Sequence, residues 1–131
     1  MSGYDKNQER KLAMQDLGKD LARRAKSKCE LCETSGLKLQ PYEPPPVQED
    51  PTLERTLLLC ERCAGAADGG KMGDANEWRF LADIVWTEFV PAQVVTIRLL
   101  RRLVKEAKAD WARDTLDMVA LGEETQNWLA D

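Results

Sequence analysis

The sequence predicts a small α+β fold, with a helical N-terminus, an irregular middle holding two strand candidates, and a helical C-terminal half. Three observations carry that expectation. Apolar residues recur at helical spacing on both flanks of the chain; residues 28–67 lose that spacing and gain prolines; and four cysteines fall in two pairs inside the irregular stretch. At 131 residues the chain suits one domain, or a small module packed against a helical unit.

The first segment, residues 1–27, is read as a helix over 5–27. Ala13, Leu17, Leu21 and Ala25 recur every fourth position with Met14 beside them. This stripe is narrow and rich in alanine, so the helix is expected to dock on the rest of the chain rather than to form its centre. In the second segment, 28–73, Leu37-Lys38-Leu39-Gln40 and Arg55-Thr56-Leu57-Leu58-Leu59 are the strand candidates. Between them Pro41, Pro44, Pro45, Pro46 and Pro51 forbid a helix and favour an extended path. The run Pro44-Pro45-Pro46 is read as a stiff connector across the cysteine region. Ala64 to Gly73 holds four glycines and predicts a flexible exit.

Residues 74–131 predict a helical bundle. Asp74-Ala75-Asn76-Glu77 has the form of a capping box, and Trp78, Leu81, Ala82, Val85 and Trp86 follow on one helical face. Pro91 fits the first turn of a further helix, with Val94, Ile97, Leu100 and Val104 on one side. A third helix is expected from Asp110 to about Ala120, and Glu123 to Leu129 add a final turn that lays Trp128 on the bundle. All four tryptophans, Trp78, Trp86, Trp111 and Trp128, are expected to be core anchors, because each sits on an apolar helix face.

Charge and composition exclude several classes. Net charge is -4, but residues 1–28 hold 8 basic against 4 acidic side chains, residues 29–70 hold 3 against 8, and residues 71–131 hold 8 against 11. That balance argues against wholesale coating of nucleic acid and leaves room for a local basic patch. No apolar stretch approaches the ~20 residues of a membrane span, and the N-terminus lacks the apolar core of a secretory signal, so a cytoplasmic location is the expectation. The sequence has no histidine, which removes the usual general base.

Cys29-Glu30-Leu31-Cys32 and Cys60-Glu61-Arg62-Cys63 are separated by 27 residues. A two-residue gap lets one tight turn deliver two sulfurs to one ion while its backbone N–H groups face the thiolates. Two such turns complete the tetrahedral shell that zinc prefers and leave no position open for water, so one structural zinc ion is expected. Disulfides are disfavoured by the expected compartment. A redox pair needs its cysteines at a helix start beside a strand, and both pairs are read here as lying in loops. Lys26, Lys28 and Arg62 are placed to offset the negative charge of the thiolates.

The pairs with Leu37-Lys38-Leu39 and Leu57-Leu58-Leu59 between them resemble the zinc-binding half of treble-clef HNH nucleases. In that family a histidine general base follows the first strand, where Gln40 and Pro41 stand here, so the resemblance implies the scaffold without the activity. Lys28-Cys29-Glu30-Leu31-Cys32, Leu59-Cys60-Glu61-Arg62-Cys63, Asn76-Glu77-Trp78-Arg79-Phe80-Leu81, Pro91-Ala92-Gln93-Val94-Val95 and Trp111-Ala112-Arg113-Asp114-Thr115-Leu116-Asp117-Met118 together resemble the bacterial PhnA-type zinc-ribbon proteins. That family takes its name from an alkylphosphonate-utilisation operon, and its longer members add a small C-terminal β domain that this sequence lacks.

Arg98, Arg101, Arg102, Lys105 and Lys108 follow one helical stripe that could track phosphates, or could be the solvated face of an amphipathic helix. Arg23, Arg24, Lys26 and Lys28 form a second basic cluster. The expectation drawn from all of this is a zinc-stabilised binding or adaptor protein without catalytic residues, acting through a protein partner or self-association. A nucleic-acid-binding module is the alternative, and an accessory role in phosphonate metabolism comes third.

Overall fold

A computed structural model describes residues 3–131, and Met1 and Ser2 of the expected N-terminal segment lie outside the described residues. The first helix, α1, runs Gly3–Ala25 and ends where Lys26 and Ser27 take left-handed backbone angles, φ 54° and 63°. Two strands follow, β1 (Leu39–Tyr42) and β2 (Leu57–Cys60), which form a two-stranded antiparallel sheet. Leu39 faces Cys60 in this register and Tyr42 faces Leu57. Short helices α2 (Glu61–Ala67) and α3 (Leu81–Ile84) precede the long α4 (Val90–Ala107), and α5 (Asp110–Met118) and α6 (Glu123–Ala130) complete the mixed α+β fold. Among the described residues no helix is long and apolar enough to cross a membrane.

The core is built from both ends of the sequence. Leu31, Leu57, Leu59 and the cysteines pack with Trp78, Leu81, Val85, Leu99 and Leu100 in one buried cluster. As expected, α1 docks at its C-terminal half: Leu21 and Ala25 bury against Leu58, with Leu17, Leu39 and Leu53 around them. Farther along α1, Arg10 grips the loop between the strands, pairing with Glu43 and donating to the Gln48 and Glu49 carbonyls at 3.1 and 3.3 Å. Pro91 starts α4 as anticipated, and the left-handed Lys108 (φ 52°) ends it. Two buried polar side chains satisfy each other in a relay. Thr125 in α6 donates to Gln93 at 2.7 Å, and Gln93 donates to the Val85 carbonyl at 2.9 Å.

Four local expectations are corrected. The first strand lies two residues later than expected and includes Pro41, which a sheet of two edge strands accommodates because one side of each strand needs no ladder donor. Ala64 to Ala67 continue α2 rather than forming a flexible exit, since alanine favours the helix and the turn begins at Asp68. The capping box does not close: Asp74 accepts from the Asn76 N–H at 3.0 Å, but Glu77 turns towards Arg62, and a 3-10 turn (Ala75–Trp78) replaces the regular helix. The expected helix is also shorter, ending at Ile84, and this matters for the tryptophans. Trp78 and Trp128 are buried and Trp111 is half-buried, whereas Trp86, expected on the core face, is 56% exposed.

The proline run also has a different neighbour from the one expected. Trp128 donates its indole N–H to the Pro45 carbonyl at 2.9 Å, and Arg55 lies 3.7 Å from the centre of the Trp128 ring. The interstrand loop is thus pinned to the last helix. Leu59→Ala, at a fully buried position, is expected to cost about 2–5 kcal/mol. Leu37→Ala, at an exposed one, should change stability by less than about 0.5 kcal/mol. Urea unfolding of both variants with metal retained checks the difference.

Candidate metal centre

Cys29 opens a tight turn whose closure is written in backbone hydrogen bonds. The Cys29 N–H donates to the Thr34 carbonyl at 3.1 Å, and the Glu33 N–H donates back to the Cys29 carbonyl at 2.9 Å. Glu33 takes a left-handed conformation (φ 62°), and Gly36 (φ 80°) follows, where a side chain would be strained. The second pair is delivered differently. Cys60 is the last residue of β2 and the N-cap of α2, and Cys63 lies in the first turn of that helix. This corrects the reading of both pairs as loop-borne, because Cys60-Glu61-Arg62-Cys63 occupies a strand-to-helix junction.

All four sulfurs nonetheless converge. Their Sγ atoms lie within 4.8 Å of one another, with Cys29, Cys60 and Cys63 buried and Cys32 partly exposed. The Cys32 and Cys60 sulfurs are 3.9 Å apart. A tetrahedron with metal–sulfur bonds of about 2.3 Å has edges of about 3.8 Å, so the cluster has the size of a four-thiolate metal site. The cysteines are free thiols. Convergence of both pairs on one point weighs against a two-cysteine redox centre, despite the helix-start position of the second pair.

The surroundings favour anionic sulfur at Cys29. A hydrogen bond from Cys63 pushes the Cys29 thiol down to about 4, aided by backbone N–H groups of Cys60, Cys32 and Leu31. Sharing that proton, together with burial and the neighbouring sulfurs, drives Cys63 upwards. Burial and the Cys29 charge raise Cys60, while the Cys63 N–H opposes the rise. The Cys29 thiolate is therefore favoured while Cys60 and Cys63 resist ionisation, a conflict that a divalent cation at the centre would remove.

A salt bridge that the sequence reading missed holds the first turn on the sheet. The Glu30 N–H donates to the Leu58 carbonyl, and the Leu58 N–H donates to the Glu30 carboxylate, both at 2.9 Å. Arg24 from α1 binds the same carboxylate through two nitrogens at 2.8 and 2.7 Å. It also donates to the Leu53 and Thr56 carbonyls, both at 2.6 Å, and lies 4.4 Å from the Phe89 ring centre. Arg24 was read as one of a basic cluster. Its position six residues before Glu30 was the available signal, but nothing in the sequence says that the chain folds back between them.

The other candidate residues divide. Arg102 is committed to structure, donating to the Ala66 and Gly70 carbonyls at 2.7 and 2.8 Å and pairing with Glu106 at 2.8 Å. Arg98 is half-buried, and burial lowers its pKa. Arg101, Lys105 and Lys108 are exposed, so among the described residues the five-residue stripe reduces to three free cations. Arg62, expected to offset the thiolates, lies 4.3 Å from the centre of the Trp78 ring and donates to the Glu77 carbonyl at 2.9 Å. Lys26 and Lys28 are exposed beside the first cysteine turn.

No protein-family model matches the chain, and neither a curated protein nor a solved structure does. The PhnA-type and HNH resemblances rest on the quoted motifs alone.

Two predictions follow from this geometry. Glu30→Ala leaves Arg24 without its carboxylate and the Leu58 N–H without its acceptor; it should cost about 3 kcal/mol, and Glu30→Gln less, as read by thermal unfolding. The pH dependence follows from the ligands. Unfolded thiols keep their protons up to about pH 8.5, whereas the folded site holds Cys29 as a thiolate far below that. A depressed folded pKa gives stability that is complete above the unfolded value and fades as pH falls towards the folded one. Melting temperature of the metal-loaded protein, whose ligands must stay deprotonated, is therefore expected to fall as pH drops below about 8.5, with metal released at the acid end.

Proposed function

We propose that this chain is a zinc-stabilised, non-catalytic binding protein that works by presenting its surface to a protein partner. The observation that carries the reading is the convergence of four cysteine sulfurs on one point, because such a set, bound to one ion, fills a tetrahedral shell and leaves no site for water or substrate. Four sulfur donors favour zinc over oxygen-seeking ions such as magnesium or calcium. A reducing compartment such as the cytoplasm would keep the thiols available. The order of parts, a cysteine turn, an antiparallel strand pair and a helix bearing the second cysteines, supports the treble-clef likeness. Gln40 and Pro41, where that likeness would place a base, are exposed residues of β1 without acid–base chemistry at neutral pH.

Nucleic-acid binding is the second reading, favoured by the exposed Arg101, Lys105 and Lys108 on α4. Three phosphate contacts would give a log–log salt slope of only about -3, too shallow for strong binding at physiological salt.

Affinity capture with metal retained, with and without nuclease, separates the two. A protein partner that survives digestion and survives Arg101→Glu with Lys105→Glu is the expected result. Recovery of nucleic acid alone, lost in that double variant, would overturn the reading. Purified protein is also expected to give no zinc-dependent hydrolysis of DNA, RNA or phosphonates above background, and turnover lost on changing a defined carboxylate would contradict that.

A further inference from the structure

We propose that Trp86 and the two clefts on either side of it form the docking surface for a basic, lysine- and arginine-bearing segment of the partner. The inference rests on the protein-binding reading above and names the chemistry of what binds. The first cleft, of about 420 Å³, opens beside the metal centre; Cys32, Phe80 and Trp86 line it together with the carboxylates of Glu33 and Asp83. The second, of about 380 Å³, shares Trp86 and carries Glu88, Glu123 and Glu124. No lysine or arginine lines either cleft. All five carboxylates are exposed, and among the described residues none belongs to an ion pair.

Trp86 sits at the centre of this charge with its ring uncovered. The other three tryptophans each carry an arginine over the ring, at 3.7 Å for Arg55 on Trp128, 4.3 Å for Arg62 on Trp78 and 5.5 Å for Arg79 on Trp111. Among the described residues no arginine covers Trp86. An exposed indole face attracts a guanidinium or ammonium group through its ring quadrupole, and flanking carboxylates extend that preference along a segment. A four-thiolate zinc site behind Cys32 would add negative charge to the same face, offset in part by Lys26 and Lys28, which line the adjoining cleft beyond Glu33. Phosphate backbones and anionic lipid surfaces are repelled by such a field, which leaves a basic polypeptide as the occupant.

The test uses the full-length, zinc-loaded protein and a fluorescein-labelled peptide of alternating arginine, lysine and glycine, with a glutamate–glycine peptide as control. Fluorescence anisotropy should show saturable binding of the basic peptide alone, weakening as salt rises. Trp86→Ala should weaken it about tenfold, and Glu33→Gln with Asp83→Asn by a similar factor. Glu9→Gln with Asp16→Asn, the same charge change on exposed positions of α1, should leave it unchanged. Zinc content and melting temperature of each variant report whether it is folded, and Trp86→Phe, which keeps a ring, should retain much of the affinity. Absence of binding, equal binding by Trp86→Ala, or equal loss in the α1 variant would each overturn the proposal. A dimer in sedimentation that dissociates in Trp86→Ala would also overturn it, by naming a second copy as the occupant. Partner capture judges the wider reading separately: a nuclease-resistant partner held equally by Trp86→Ala sinks this surface and leaves protein binding standing.

Discussion

Four sulfurs within 4.8 Å of one another repel as thiolates and lose hydrogen-bonding capacity as thiols, so their convergence makes sense around a cation. The rest of the molecule is arranged about that point. The first cysteine turn contributes Leu31 to the core, the second fixes where β2 ends and α2 begins, and residues far apart in sequence are thereby held at one place. A chain with two strands of four residues has little sheet to stabilise it. A metal ion held by the four cysteines would substitute for the sheet that is missing, since binding by four thiolates contributes on the order of 10–16 kcal/mol in small peptides.

Arginine is the second organising element. Arg10 and Arg24 tie α1 to the loops and to the first cysteine turn, while Arg102 ties α4 to the end of α2. Arg55, Arg62 and Arg79 lie on tryptophan rings. The guanidinium fork suits this work, because it donates in several directions while its planar face stacks on an aromatic ring. Basic residues that suggest a phosphate-binding surface in the sequence are in good part internal ties. Among the described residues the acidic side chains around Trp86 have no such partners, and they leave that face the distinctive part of the surface.

The elements with strong periodicity were legible in the sequence: α1, α4 and α5 lie close to their expected ranges, and β2 is placed by its run of leucines. The convergence of the four cysteines was legible too, because two Cys-x-x-Cys pairs suit one shared ion. What escaped was set by long-range contact or by local competition. Trp86 reads as apolar at helical spacing, but α3 ends at Ile84, so Trp78, Leu81 and Val85 keep the buried face while Trp86 falls in the turn beyond it and points outward. Glycines after Cys63 suggested a loop, although three alanines outweigh one glycine over α2. The Arg24–Glu30 pair and the Trp128–Pro45 bond join segments that no local pattern relates.

Cobalt titration of the metal-free protein, followed at once by visible absorption and far-ultraviolet circular dichroism, tests the central claim most directly. Tetrahedral thiolate-bound cobalt absorbs intensely in the visible range, with a sulfur-to-metal charge-transfer band at shorter wavelength. The account predicts that both signals rise together with the gain of ordered structure and end at one ion per chain. A weak six-coordinate spectrum, a different stoichiometry, or a chain fully folded before any metal is added would contradict it.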